Sequence, residues 1–428
     1  AEIDRRVAEI GSDGRLVTLE GGGVHHVTLT EKLLVPALAK LSNLVAGAGI
    51  WMNTQRPEWT DANNALVGNG VSTVTLLHLR DYLVFVDDLL ADGPDQLRIS
   101  DAVMTWMTEL GAAFDDHAAD IDPGPTGDAD RRSLLDRLGR AFEHYRATVA
   151  DDPGPAGPVA TADLRTVLAS ARPHLDQAAA TARRPDGLVH AYWLLRLDPG
   201  VARLERLPEM LEGQATILDS AATDPEVALR LVDALFASEL HRPDQRSFVL
   251  YPNHPPPRFL DKNRIPEAME GPAIRALLDA GDDGTGGTRI VRRGVDGVAR
   301  FAPELLSGRH LAAAIDALAD DPVLGPIVAE GRTEIEDAYE AVFHHRAFTG
   351  RSRAMYRYEG LGSIYWHMVS KVLFGVQERV LDAVDQDLDD DLVAALADRY
   401  REIRSGLGFM KSVTEQGSFP TDPHSHTP

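Results

Sequence analysis

The stretch QRPEWTDANNALVG, residues 55–68, separates two apolar runs and sets up a helix, polar loop, helix arrangement. Upstream, Leu33, Leu34, Leu38, Leu41, Val45 and Ile50 fall roughly in helical register, so Glu31 to Met52 reads as one helix. Downstream, Val74, Leu77, Tyr82, Val84, Phe85 and Leu89 predict a second helix over Val71 to Leu90. The loop holds Arg56, Glu58, Trp59, Asp61, Asn63 and Asn64, a mixture of charge, amide and aromatic that no other segment packs so densely. A polar loop at the rim of a rigid scaffold is a usual place for chemistry. Glu58 and Asp61 share a face in a helical turn. Trp59 offers a flat apolar surface suited to a sugar ring, and Asn63 and Asn64 carry the donors and acceptors that hydroxyl recognition requires. A carboxyl against an aromatic wall has its pKa raised toward that of a general acid. The competing reading of Asp61 is a helix N-cap.

Outward from this stretch the helical pattern recurs. Arg15 to Glu20 and Val24 to Thr30 read as short strands around Gly21 to Gly23, with Thr30 capping the next helix. Ser100 and Asp101 cap a helix over Ala102 to His117. The breaks DIDPGPTGDAD (120–130) and DDPGPAGP (151–158) bracket a helix over Arg131 to Ala150. Ala160 to Arg184 is helical with an interruption near Pro173, and Leu204 to Leu240 reads as two helices joined near Thr223 and Asp224. Residues 247–305 change character, with three consecutive prolines, Pro255 to Pro257, and strand-like runs near Arg289 to Arg293. Helical patterns resume from His310. The expected organisation is a linker with short strands (1–30), a helical toroid (31–246 and 306–428) and a β-containing insertion (247–305). Paired helices separated by Pro/Gly breaks suit a mainly α fold, an α/α toroid or solenoid.

Two further clusters carry candidate chemistry. In RPDGLVHAYWLLRLDPG (184–200), His190 and Tyr192 lie within a short apolar segment. His190 reads either as a pocket residue or as a core histidine bonded to backbone. In FTGRSRAMYRYEGLGSIYWHMVSK (348–371), Arg351, Arg353 and Arg357 interleave with Tyr356, Tyr358, Tyr365 and Trp366, and Glu359 precedes a Gly-Leu-Gly turn. His367 and Lys371 share a helical face. Gly350, Arg351 and Ser352 form a segment able to cradle an anion with backbone N–H groups and a guanidinium, with Arg353 beside it. The competing readings are neutralisation of an acidic surface and core packing. The tail histidines His424 and His426, with Asp422, are too weak a pattern to assign a metal, and none is assigned.

The 428 residues contain 66 acidic and 43 basic side chains, a formal net charge of -23, and no cysteine. Such a surface repels nucleic acid and anionic membranes, and disulfides and thiolate metal sites are excluded. No apolar run is long enough for a transmembrane helix, and the first residues are not a signal peptide, so a cytoplasmic protein is expected. The start at Ala1 without Met and the stop at HSHTP suggest a segment of a longer polypeptide that continues into further domains.

Together PEWTDANNALVG, DGLVHAYWLLRL, FTGRS, YEGLGSIYWHMVSK and FPTDPHSHTP resemble uncharacterised bacterial proteins related to the cellobiose-phosphorylase-like, (α/α)6-barrel carbohydrate-active enzymes. The resemblance spans about residue 28 to the end and implies a six-hairpin toroid or part of one. It also implies a tryptophan followed shortly by the acid aspartate, matched by Trp59 and Asp61 with Thr60 between. The surrounding residues depart from the phosphorylase version, and the chain has no room for those enzymes' N-terminal β-sandwich. Three readings follow. In an inverting glycoside phosphorylase, Asp61 is the acid, Glu58 its neighbour or competitor, and inorganic phosphate on Arg351, Ser352 and Arg353 is the co-substrate, with no other cofactor. The oligosaccharide or glycoside then meets Arg56, Trp59, Asn63, Asn64, His190, Tyr192, Tyr358, Trp366 and His367. In an inverting hydrolase, Glu359 is the base, about 6.5–9.5 Å from Asp61. In the third, the chain is a non-catalytic sugar-binding or structural helical module.

Overall fold

Thr28 begins the Leu29–Leu41 helix, its hydroxyl accepting the Glu31 amide at 3.2 Å. The computed structural model describes residues 2–17, 23–52, 66, 68–118, 121, 126–151, 154–252, 257–282, 290–345, 348–349, 355–356, 364–408, 410–412 and 415. The chain is mostly helical with small sheets. It divides into two units, Ala1–Pro252 with Ser363–Thr421, and Asn253–Gly362 with Asp422–Pro428. No helix among the described residues is long and apolar enough to cross a membrane.

In the first unit, one apolar core joins the helices Leu29–Leu41, Thr73–Ala91, Asp101–Asp116, Asp128–Asp151 and Thr161–Thr181. Trp106 is its largest fully buried side chain, stacked on Tyr145 at 4.1 Å and Phe142 at 5.1 Å. Burying one such large apolar side chain contributes roughly 1.5–3 kcal/mol. Glu31 is buried in this region with both oxygens satisfied: Ser100 donates its amide at 2.9 Å and its hydroxyl at 2.7 Å. A second core joins the helices Leu211–Asp219, Pro225–Ala237, Trp366–Asp385 and Asp390–Ser405.

An antiparallel five-stranded sheet runs Leu44–Val45, Gly49–Trp51, Gly70–Ser72, Tyr192–Asp198, Val201–Arg206. Its register aligns Ile50, Ser72 and Tyr192 in one row and Trp51, Val71 and Trp193 in the next. Because strand side chains alternate, Trp193 and Tyr192 serve opposite faces. Trp193, Val71, Leu195 and Ala202 pack with Leu135 on one face.

This sheet corrects the sequence reading. Glu31 to Met52 is not one helix: it stops at Leu41 and turns into a hairpin through Gly47, whose φ of 74° suits a residue without Cβ. Gly49 allows the close strand contact, since a Cβ there would lie 2.5 Å from the Ser72 carbonyl oxygen. Residues 70–72 are strand, and the helix starts at Thr73. Of the strands expected at Arg15 to Glu20 and Val24 to Thr30, residues 18–20 lie outside the described residues and the second gives way to the Leu29–Leu41 helix, whose cap is Thr28 instead of Thr30; ahead of them stand the helix Glu2–Ile10 and a 3-10 turn over Gly11–Arg15. The helix Thr161–Thr181 runs through Pro173 without interruption.

The second unit has its own core of Ile274, Leu277, Val291, Phe301, Ile315, Ile335, Tyr339 and their neighbours. Val291–Arg293 and Ala299–Phe301 form a hairpin. Asn263 is buried and pairs with the Phe301 backbone in both directions, donating at 2.8 Å and accepting at 3.0 Å. Glu334 accepts the amides of Ile274 at 3.1 Å and Ala273 at 3.4 Å, satisfying free N–H groups where the Pro272–Asp282 helix begins. Burial pushes the Tyr339 pKa up to about 12, and its hydroxyl donates to Leu305 O at 2.7 Å. The helices Gly308–Asp316, Leu324–Glu330 and Arg332–Phe343 belong to this core, so the unit extends beyond the 247–305 read from composition.

Candidate functional site

Two helix beginnings meet at one strand residue, Tyr192, and a third is linked to them through the backbone. The first is the start of Thr73–Ala91: Ser72 lies opposite Tyr192 in the sheet, and the Thr73 amide donates to Ala191 O at 2.9 Å. The second is the start of Leu211–Asp219, whose Glu212 accepts the Tyr192 hydroxyl at 2.8 Å. The third is the start of Trp366–Asp385. It is reached through backbone contacts, because Leu211 N donates to Leu250 O at 3.0 Å and neighbouring Val249 bridges Ile364. Helix N-termini carry partial positive charge and unsatisfied N–H groups, so positive potential accumulates here.

Glycines set the close approaches. A Cβ on Gly213 would lie 3.0 Å from that of Ala191, and a Cβ on Gly375 would lie 2.8 Å from that of Leu218. Gln214, wholly buried, ties the strand approach to the helix by accepting Val189 N at 2.9 Å and donating to Val189 O at 2.8 Å. Arg379 closes the other end, donating to Ser220 O at 2.5 Å and Thr223 O at 3.3 Å.

The electrostatics centre on Glu212. It is 7% exposed. Burial raises its pKa above the ordinary glutamate value, opposed by the Tyr192 hydrogen bond and the charge of Lys371. Lys371 forms no ion pair with Glu212 among the described residues, so its ammonium acts from beyond contact distance. His367 lies one turn before Lys371 on the same helix face.

Of the residues named from sequence, the structure brings Tyr192 and the helix bearing Trp366 and His367 to this junction. His190 is buried and structural in its bonding: its Nδ1–H donates to Leu207 O at 3.2 Å, and its ring lies 4.9 Å from that of Trp193. Burial lowers its pKa, and the positive charge of Arg184 adds to this. Trp366 is partly exposed with Lys411 Nζ 4.6 Å from its ring centroid. The His367 ring stands 5.8 Å from that of Tyr365. Arg56, Glu58, Trp59, Asp61, Asn63, Asn64, Arg351, Ser352, Arg353, Tyr358 and Glu359 lie outside the described residues. The described stem of the 53–65 segment is held by the sheet: Met52 N donates to Gly70 O at 2.8 Å, and Trp51 Nε1 donates to Gly68 O at 3.1 Å. That stem is next to the strand carrying Tyr192, since Gly70 pairs with Leu194.

Sequence reasoning missed Glu212 and Gln214. Their signal is a glutamate and a glutamine two apart within the otherwise largely apolar MLEGQATIL, where every position from Leu211 to Leu218 is buried. A cavity of about 200 Å³ lies elsewhere in this unit, lined by Asp101, Thr105, Trp106, His144, Tyr145 and Thr148, and it contains none of the expected site residues. Among the described residues no group of three or more histidines and carboxylates is placed to hold a metal ion.

Residues 256–346 match a family model described as GH149 phosphorylase insertion domain 2. The matched stretch lies within the second unit and covers well under half of the chain. No curated protein matches the chain. The match is to a domain of a glycoside-phosphorylase-related family.

Proposed function

We propose that the chain is part of an inverting glycoside phosphorylase, acting on an oligosaccharide or glycoside with inorganic phosphate as co-substrate. The observation that carries this is the match of residues 256–346 to a GH149 phosphorylase insertion domain. The mostly helical structure with small sheets is compatible with a helical glycosidase-like fold. Arg351, Ser352 and Arg353 hold phosphate through charge-assisted hydrogen bonds. A phosphate oxygen forms the new bond to the anomeric carbon from the face opposite the departing group. The glycosidic C–O bond breaks, and Asp61 gives its proton to the leaving oxygen, which is a poor leaving group unless protonated. Asp61 recovers its proton from solvent after product release. Glu58, Trp59, Asn63 and Asn64 orient the sugar. A phosphorylated product is charged and does not leak through membranes, which suits a cytoplasmic location.

Asp61→Asn keeps the shape and removes the proton. Phosphate-dependent turnover is expected to fall about 10²–10⁴-fold, the usual contribution of a general acid, with ligand binding and melting temperature nearly unchanged. Full activity in Asp61→Asn with a dead Glu58→Gln would move the role to Glu58. Full activity in both would remove this loop from the mechanism.

A further inference from the structure

We infer that Glu212, held by Tyr192 where two helix beginnings meet, is a binding group for a hydroxyl of a neutral glycosyl unit. Three observations carry this. The first is a contrast with two other glutamates withdrawn from solvent. Glu31 has both carboxyl oxygens bonded to Ser100, and Glu334 has both bonded to backbone amides. Glu212 is buried like Glu31, yet only Oε2 is engaged, by Tyr192 at 2.8 Å. Its Oε1 accepts no hydrogen bond among the described residues. A buried carboxyl costs free energy unless its oxygens are satisfied, so a purely structural acid here would resemble the other two.

The second observation is what surrounds it. The charge of Lys371 and the start of the Leu211–Asp219 helix supply positive potential at the carboxyl. A cationic ligand is disfavoured by that potential, and an anionic one is repelled by Glu212 at contact. The ligand class left for Oε1 is a neutral donor, and a sugar hydroxyl is one. The third is rigidity. Gly213 lies against Ala191, Gln214 is bonded to Val189, and Gly375 lies against Leu218, so the carboxyl is fixed by packing on both sides. Pre-organised acceptors of this kind discriminate strongly between a substrate hydroxyl and its deoxy analogue.

Glu212 plays this part only if the substrate is a sugar, as proposed above. The test is titration calorimetry on the full chain with glucose, galactose, mannose, their short oligosaccharides and the monodeoxy forms of whichever binds. Wild type is expected to lose at least tenfold in affinity when one particular hydroxyl is removed. In Glu212→Gln the parent sugar should bind at least tenfold more weakly, and removing that same hydroxyl should cost little more, the non-additivity expected of direct partners. If Glu212→Gln does not fold, Tyr192→Phe, which leaves the carboxyl but frees it, should weaken binding several-fold and blunt the same preference. An unchanged affinity and an unchanged deoxy pattern in the variants would overturn the inference while leaving phosphorolysis untouched. No sugar binding by wild type would also overturn it, and phosphate-dependent turnover would then decide the phosphorylase reading separately.

Discussion

His190 and Glu212 show how little a residue's type says about its work. Both lie near Tyr192, and both have a pKa shifted by burial, but the histidine is bonded to backbone while the glutamate keeps one oxygen open. Burial and Arg184 depress the His190 pKa, so the folded chain holds the neutral ring while the unfolded chain takes up a proton near pH 6.5. The stability that His190 contributes is therefore present above about pH 6.5 and declines as pH falls toward the depressed folded value. His190→Gln should lose less melting temperature between pH 8 and pH 5 than wild type, measured by calorimetry. Equal losses would mean that His190 protonates without penalty. The sequence marked Tyr192 and His190 as unusual, since a histidine and aromatics stood in an apolar run. It could not separate pocket from core, because that depends on Leu207 and Glu212, which lie 17 and 20 residues along the chain from the side chains they bond. Glu212 went unseen because one glutamate in a helical run ordinarily reads as its solvent face.

At the scale of elements, the long helices were legible from apolar periodicity, and the hairpin over Val291–Phe301 from its turn glycines. The five-stranded sheet was not. Its strands at 44–45, 49–51 and 70–72 are two or three residues long, too short to show alternation, and their apolar residues also fit a helix. Pairing across the chain, as between Val71 and Trp193, makes them strands. The helix Trp366–Asp385 approaches Leu211–Asp219 closely at Gly375. A methyl there gains about 0.5–1 kcal/mol in helix propensity, yet it would meet Leu218 Cβ at 2.8 Å and Asp219 N at 2.9 Å. Overpacking costs about 1–3 kcal/mol and should win. Gly375→Ala is expected to unfold at lower urea concentration than wild type, and any gain in stability would show that the two helices are free to separate.

For the whole molecule, the acidic charge of -23 argues against nucleic acid and leaves a neutral sugar unaffected. The insertion was visible as a change of composition, but its extent was not, because the helices from Gly308 to Phe343 look like any others until their shared core with Ile274 and Phe301 is known. The same stretch carries the phosphorylase match. Phosphorolysis by inversion is the central claim, and combined ³¹P and ¹H NMR of the first product from an oligosaccharide panel in phosphate buffer tests it most directly. The expected product is a glycosyl phosphate whose anomeric configuration is opposite to that of the bond cleaved, with inorganic phosphate consumed in equal amount. Free reducing sugar as the first product, with phosphate unchanged, would contradict it.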